Sequence, residues 1–114
     1  MSTAASLVVA GLHFGFFVLE SILWTKPTGR KIFRNSEEKA KLTKVLAANQ
    51  GVYNLGLCAG LAYAVASGNS GAVSLLLTYV VGVGLYGAAT VSKTIFYVQV
   101  APALIALALK QGEY

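Results

Sequence analysis

The chain has 114 residues, 56% hydrophobic and only 11% charged, with a mean hydropathy of +0.67 and a formal net charge of +5. A soluble domain usually carries about 25% charged residues, so there is too little charge here to cover a water-facing surface, and disorder is excluded for the same reason. The positive charge does not point to nucleic acid, because seven of the nine basic residues (Lys26, Arg30, Lys31, Arg34, Lys39, Lys41 and Lys44) crowd into one stretch between apolar segments, the pattern of a cytoplasmic membrane loop.

The length allows one domain, residues 1–114, and four apolar segments are predicted within it. The first, 3–24, lacks a basic region ahead of it and a small-residue cleavage site behind it, and it contains His13 and Glu20. It reads as a retained spanning helix rather than a cleaved signal. The basic loop, 25–44, follows. In it Pro27-Thr28-Gly29 predicts a turn, and Asn35 with Glu38 resembles a helix N-cap with its reciprocal acid. The second helix would then start near Ser36, with Lys39, Lys41 and Lys44 at the lipid head groups and Ile32 and Phe33 dipping into the interface. Setting topology and attracting anionic lipid is the simple role for this loop; a protein or nucleotide partner is the alternative, and no residue pattern names one.

The second segment, 45–67, ends at a Ser67-Gly68-Asn69-Ser70-Gly71 turn. The third covers 72–91 and the shorter fourth 94–109, each close to the roughly 20 residues that cross a hydrocarbon core about 30 Å thick. Short turns require antiparallel neighbours, so the expected fold is all-α: an integral membrane bundle of four antiparallel transmembrane helices. Positive charge on the inner loops places 25–44 and Lys93 in the cytoplasm and both termini outside the cell membrane. Pro102 predicts a kink in the fourth helix.

Ionisable residues within spanning helices are costly and therefore candidates for function. His13 and Glu20 lie seven residues apart, near one helix face and about 10 Å apart along the axis. The second helix adds Asn49, Gln50, Tyr53 and Asn54, and the fourth adds Gln99. Rise from the cytoplasmic ends puts Glu20, Asn49, Gln50 and Gln99 roughly 6 to 8 Å deep, and Asn54 and His13 roughly 13 to 17 Å deep. A polar cavity open to the cytoplasm is the expectation, with the external half smooth and apolar. The simpler reading makes these side chains interhelical hydrogen-bond glue, worth about 0.6 kcal/mol each. Glu20 has three readings: a ligand-binding or proton-handling carboxylate, a residue snorkelling to the interface, or a structural partner of Arg30 or Lys44.

Gly11/Gly15, Gly56/Gly60 and Gly84/Ala88 are small-residue pairs that permit close helix contact, within the bundle or between subunits of a homo-oligomer. Cys58, one turn past Asn54, reads as packing. Neither a metal-spaced cluster of His, Cys and acids nor a phosphate-binding loop or Gly-x-Ser-x-Gly elbow occurs. Metal and cofactor are thus not expected, and catalysis has no support in the residues.

His13, Phe16, Glu20, Trp24, Gly29-Arg30-Lys31-Ile32-Phe33, Ala47-Ala48-Asn49-Gln50-Gly51-Val52-Tyr53-Asn54 and Gln99-Val100-Ala101-Pro102-Ala103 form a pattern. Through it the chain resembles, over nearly its full length, the bacterial integral membrane family catalogued as domain of unknown function 1304. The resemblance implies a small bundle of four membrane helices and no established activity. The best functional expectation is binding or transport of a small amphipathic, cationic or lipid-like ligand around Glu20. A proton-coupled exporter of the small multidrug type is one alternative, although the motifs around its carboxylate differ. A small glutathione-dependent enzyme would need arginines that helices two to four lack, and a structural or assembly subunit would need only the glue.

Overall fold

The computed structural model describes residues 1–113, which form six α-helices and two π-helical turns, with no strand among the described residues. Helix α1 (Ser2–Phe17) runs on into a π-helical turn, Val18–Ile22. The Leu23 amide closes that wide turn on the Val18 carbonyl at 2.9 Å, a reach of five residues instead of four. Then come α2 (Pro27–Phe33), α3 (Glu37–Leu42) and the long α4 (Lys44–Ala66). Helix α5 (Ser70–Thr90), a second π turn (Phe96–Val100) and α6 (Ala101–Gly112) complete the order.

Two stretches are long and apolar enough to cross a membrane: Ser2–Ile22 and Ser70–Thr90, each of 21 residues with mean hydropathy 1.8. Helix α4 is longer at 23 residues, but Asn49, Gln50, Tyr53 and Asn54 dilute its apolar character. The last helix is short because a π turn takes up its first residues, and Pro102 follows in the first turn of α6. Proline donates no amide, so the turn ahead of it gives up its α-helical bonding.

The described residues fall into two compact units, 1–12 with 58–113, and 13–57. In the first, α5 packs along the second π turn and α6. Its buried residues Val73, Leu77, Val80 and Gly84 repeat every three or four positions, as one helical face requires. Gly84 lets the π turn come close, since a Cβ there would stand 2.6 Å from Val100 Cγ2. Asn69 starts α5 by accepting the Ala72 amide at 3.0 Å.

In the second unit the basic segment is more helical than expected. Pro27 sits in the first turn of α2, where its fixed φ favours a helix and its missing N–H costs nothing, so Pro27-Thr28-Gly29 opens a helix and is not a turn. Arg34 ends α2 in the left-handed conformation (φ 56°). The cap of α3 is Ser36, whose hydroxyl accepts the Lys39 amide at 3.1 Å, and not Asn35; Glu37 and Glu38 fill the first turn, where helix-dipole charge favours them. The chain breaks again at Thr43, so α3 is separate from α4. Of the small-residue pairs, Gly11, Gly15 and Gly56 have open space where a Cβ would stand, and only Gly84 sits at a tight contact.

Candidate functional site

The polar groups within residues 13–57 are built around the first π turn. Asn54, buried on α4, donates its amide to a carboxylate oxygen of Glu20 at 2.5 Å. One residue on, the Ser21 hydroxyl donates to the Ala48 carbonyl at 2.9 Å. Trp24 Nε1 donates to Thr43 Oγ1 at 3.0 Å, and Thr43 Oγ1 donates in turn to the Lys39 carbonyl at 2.8 Å. These partners ascend one segment as they descend the other, so the two run antiparallel.

Two glycines make the approach feasible. A Cβ on Gly51 would stand 2.0 Å from Ser21 Oγ and 3.0 Å from the Ser21 amide. A Cβ on Gly29 would stand 2.0 Å from the Leu23 carbonyl oxygen, so α2 packs directly on the chain leaving α1. Trp24 and Phe33 rings lie 4.8 Å apart over this corner. The stretch Ala47–Asn54 thus holds the π turn through a carbonyl, a missing side chain and an amide.

The depth expected for these residues needs correction. Counting rise sets Glu20 shallow and Asn54 deep, yet they share a hydrogen bond. Side chains on a helix lean toward its own N-terminus, and in antiparallel segments that tilts Glu20 and Asn54 toward each other. The reading of Glu20 as partner of Arg30 or Lys44 also fails: the described ion pairs are Met1–Glu113 and Lys41–Glu37. Arg30 Nε is buried without a partner.

His13 is buried, with its ring edge-on to Phe16 at 5.1 Å. Asn49, Gln50 and Tyr53 are exposed, so they do not gather around Glu20. Gln99 belongs to the other unit, where it lies against Gly84. Lys26, Lys31, Arg34, Lys39, Lys41 and Lys44 are exposed along α2, α3 and the start of α4, with Lys41 paired to Glu37 at 3.3 Å. Of the expected set, then, the structure joins Glu20 and Asn54.

A second polar group lies where α1 and α5 begin and α4 and α6 finish, contrary to the smooth, apolar end expected there. Ser2, Ser6 and Lys110 are buried. The Lys110 ammonium donates to Ser70 Oγ at 2.7 Å, and Glu113 accepts both the Ser2 amide, at 3.0 Å, and the Ser2 hydroxyl. These hydrogen bonds, the hydroxyl's first, hold the Glu113 carboxyl down at about 2. The sequence signal was present: Ser2 and Ser6 share a face at i, i+4 spacing, and Lys110 sits in the last turn of α6.

No solved structure matches the chain. It is similar to a protein of Lactococcus lactis subsp. lactis (strain IL1403) named Uncharacterized protein YpaA, being 36% identical over 106 residues that cover 90% of this chain and 89% of that protein. Residues 7–110, which include Glu20, Asn54 and Lys110, match the model of the family described as Protein of unknown function (DUF1304). The chain belongs to the DUF1304 family.

Proposed function

We propose that this protein spans the cell membrane four times and binds a small cationic or amphipathic ligand at Glu20. The supporting observation is the state of that carboxylate. It is half-buried in an apolar helix, its hydrogen-bond partner is the neutral amide of Asn54, and no described cation pairs with it. Taking a carboxylate from water without a counter-charge is costly, and a bound cation offsets that cost.

The membrane reading rests on the exposed apolar surface. Only 28% and 22% of the two span-length windows is buried, whereas the core helix of a soluble protein is mostly covered. Leu7, Val8, Phe14, Leu75 and Leu85 all face outward, an arrangement suited to lipid. Helix α4, and the second π turn with α6, supply the other two spans. The basic residues on α2, α3 and the start of α4 then lie in the cytoplasm and both termini outside.

The test is calorimetric titration of the purified protein in detergent micelles with tetraphenylphosphonium, a lipophilic cation. The wild type is expected to bind. Glu20→Gln is expected to lose at least about tenfold in affinity, ~1.4 kcal/mol, with unchanged circular dichroism and gel-filtration position. Failure of the wild type to bind, or equal binding by Glu20→Gln, overturns the proposal.

A further inference from the structure

Where α5 ends and the second π turn begins, an open groove of about 340 Å³ is lined by Leu85, Ala88, Ala89, Lys93, Phe96 and Tyr97. All six belong to the unit formed by 1–12 with 58–113. Leu85, Ala88 and Ala89 follow one another at i, i+3 and i+4, so they share one face of α5. Leu85, Phe96 and Tyr97 are exposed beside the two alanines. The groove has a direction. Its apolar end, Leu85, lies about 7 Å back along α5 from Thr90, and its charged end, Lys93, stands three residues past the helix.

Lys93 is exposed and takes no part in the described ion pairs, which are Met1–Glu113 and Lys41–Glu37. The sequence has no Asp or Glu from residue 39 to residue 112. Glu113, the one acidic side chain of this unit, is held by Met1 and Ser2. Nothing in its own unit therefore neutralises Lys93.

We propose that this groove binds one anionic phospholipid, with the phosphate at Lys93 and the upper part of an acyl chain along Leu85, Ala88 and Ala89. The proposal rests on the reading of α5 as a membrane span and is independent of Glu20. In a bilayer Lys93 then stands at head-group depth, where anionic lipid attracts basic side chains, and Tyr97 brings the amphipathic ring characteristic of that level. The volume has room for roughly eleven waters at ~30 Å³ each, enough for a head group, while the chains continue down the exposed side of α5. A cation is opposed by Lys93, and a neutral apolar ligand leaves the ammonium without a counter-charge. A second copy of the chain docking through the same groove about a two-fold axis brings a second Lys93 and no acid.

Native mass spectrometry of the full chain tests the groove, with the protein released from dodecylmaltoside micelles that hold equal amounts of phosphatidylglycerol and phosphatidylcholine. The wild type is expected to retain one phosphatidylglycerol in preference to phosphatidylcholine. Lys93→Gln should lower the apparent affinity about three- to tenfold, the loss of one charge-assisted contact. Ala89→Leu keeps the charge but fills the groove, and should lower the affinity to a similar extent. Lys31→Gln removes an equal charge from an exposed position in the other unit and should leave the affinity unchanged. If one groove variant fails to fold by circular dichroism, the other decides. The absence of a preference for phosphatidylglycerol overturns the proposal, as does an equal loss in Lys31→Gln and Lys93→Gln. A lipid-free dimer that Ala89→Leu dissociates overturns it as well. Carbonate extraction of cell membranes separates the two readings: a chain that is extracted refutes the span and this site together, whereas a chain that stays in the membrane without retaining the lipid refutes this site alone.

Discussion

Replacing Gly51 by alanine tests whether α4 is seated directly on the first π turn. The new Cβ would stand 2.0 Å from Ser21 Oγ, 3.0 Å from the Ser21 amide and 3.1 Å from Ser21 Cβ. The hydroxyl can rotate away, at the loss of its 2.9 Å bond to the Ala48 carbonyl, worth about 1 kcal/mol. The amide and Cβ contacts remain, and forcing a methyl into a packed contact costs about 1–3 kcal/mol. Alanine recovers up to about 1 kcal/mol in helix propensity. The net expectation is a loss of about 1–3 kcal/mol, measured by unfolding in mixed micelles with rising sodium dodecyl sulfate and circular dichroism as the readout. Gly56→Ala is the control, because nothing lies within 4 Å of a Cβ there; it should be neutral or stabilising by up to about 1 kcal/mol. Ser21→Ala combined with Gly51→Ala should recover part of the loss, since only the hydroxyl clash is relieved. Equal behaviour of Gly51→Ala and Gly56→Ala would refute the contact.

Two further outcomes can be checked on the same preparation. Trp24→Phe keeps a ring over Phe33 but removes the donor to Thr43, so it should cost about 1 kcal/mol and speed amide exchange in α3. Glu113 is held below the usual carboxylate value of 4.5, at about 2, by the Ser2 hydroxyl and amide. A depressed carboxylate contributes stability that is present above its unfolded value and is lost as pH falls through its folded value. Acid should therefore destabilise the protein between pH about 4.5 and about 2, and Glu113→Gln should flatten that part of the midpoint-against-pH curve, unless Ser2 contributes nothing to the shift.

The helices were legible because apolar runs broken by short polar turns leave little other choice, and the segments expected at 45–67 and 72–91 differ from α4 and α5 by at most two residues at either end. What escaped were features that depend on hydrogen-bond register. A run such as Val18-Leu-Glu-Ser-Ile22 carries no composition that separates a π turn from an α turn. The helix over Pro27–Phe33 is hidden by proline and glycine together, each a turn former in isolation; here proline begins the helix and glycine admits the Leu23 backbone. For the candidate site, Glu20 and Asn54 both stand out as polar in an apolar setting, and their pairing needs only the direction in which side chains lean. Lys110 reads from sequence as a terminal charge in water because lysine is so seldom buried.

The π turn also changes what the spacing of residues along the first helix means. Ahead of it Ser2, Ser6, the adjacent pair Val9 and Ala10, and His13 are buried, so buried positions recur every three or four residues as one stripe along the helix. Within Val18–Ile22 no residue is buried, and a turn that takes one more residue than usual rotates everything beyond it out of phase. The seven-residue interval from His13 to Glu20 therefore does not by itself imply a return to the same stripe. Tolerance to substitution along this one rod should follow a regular rhythm up to His13 and lose it from Val18 onward, so an inserted or deleted residue between the two would change which side chain meets Asn54.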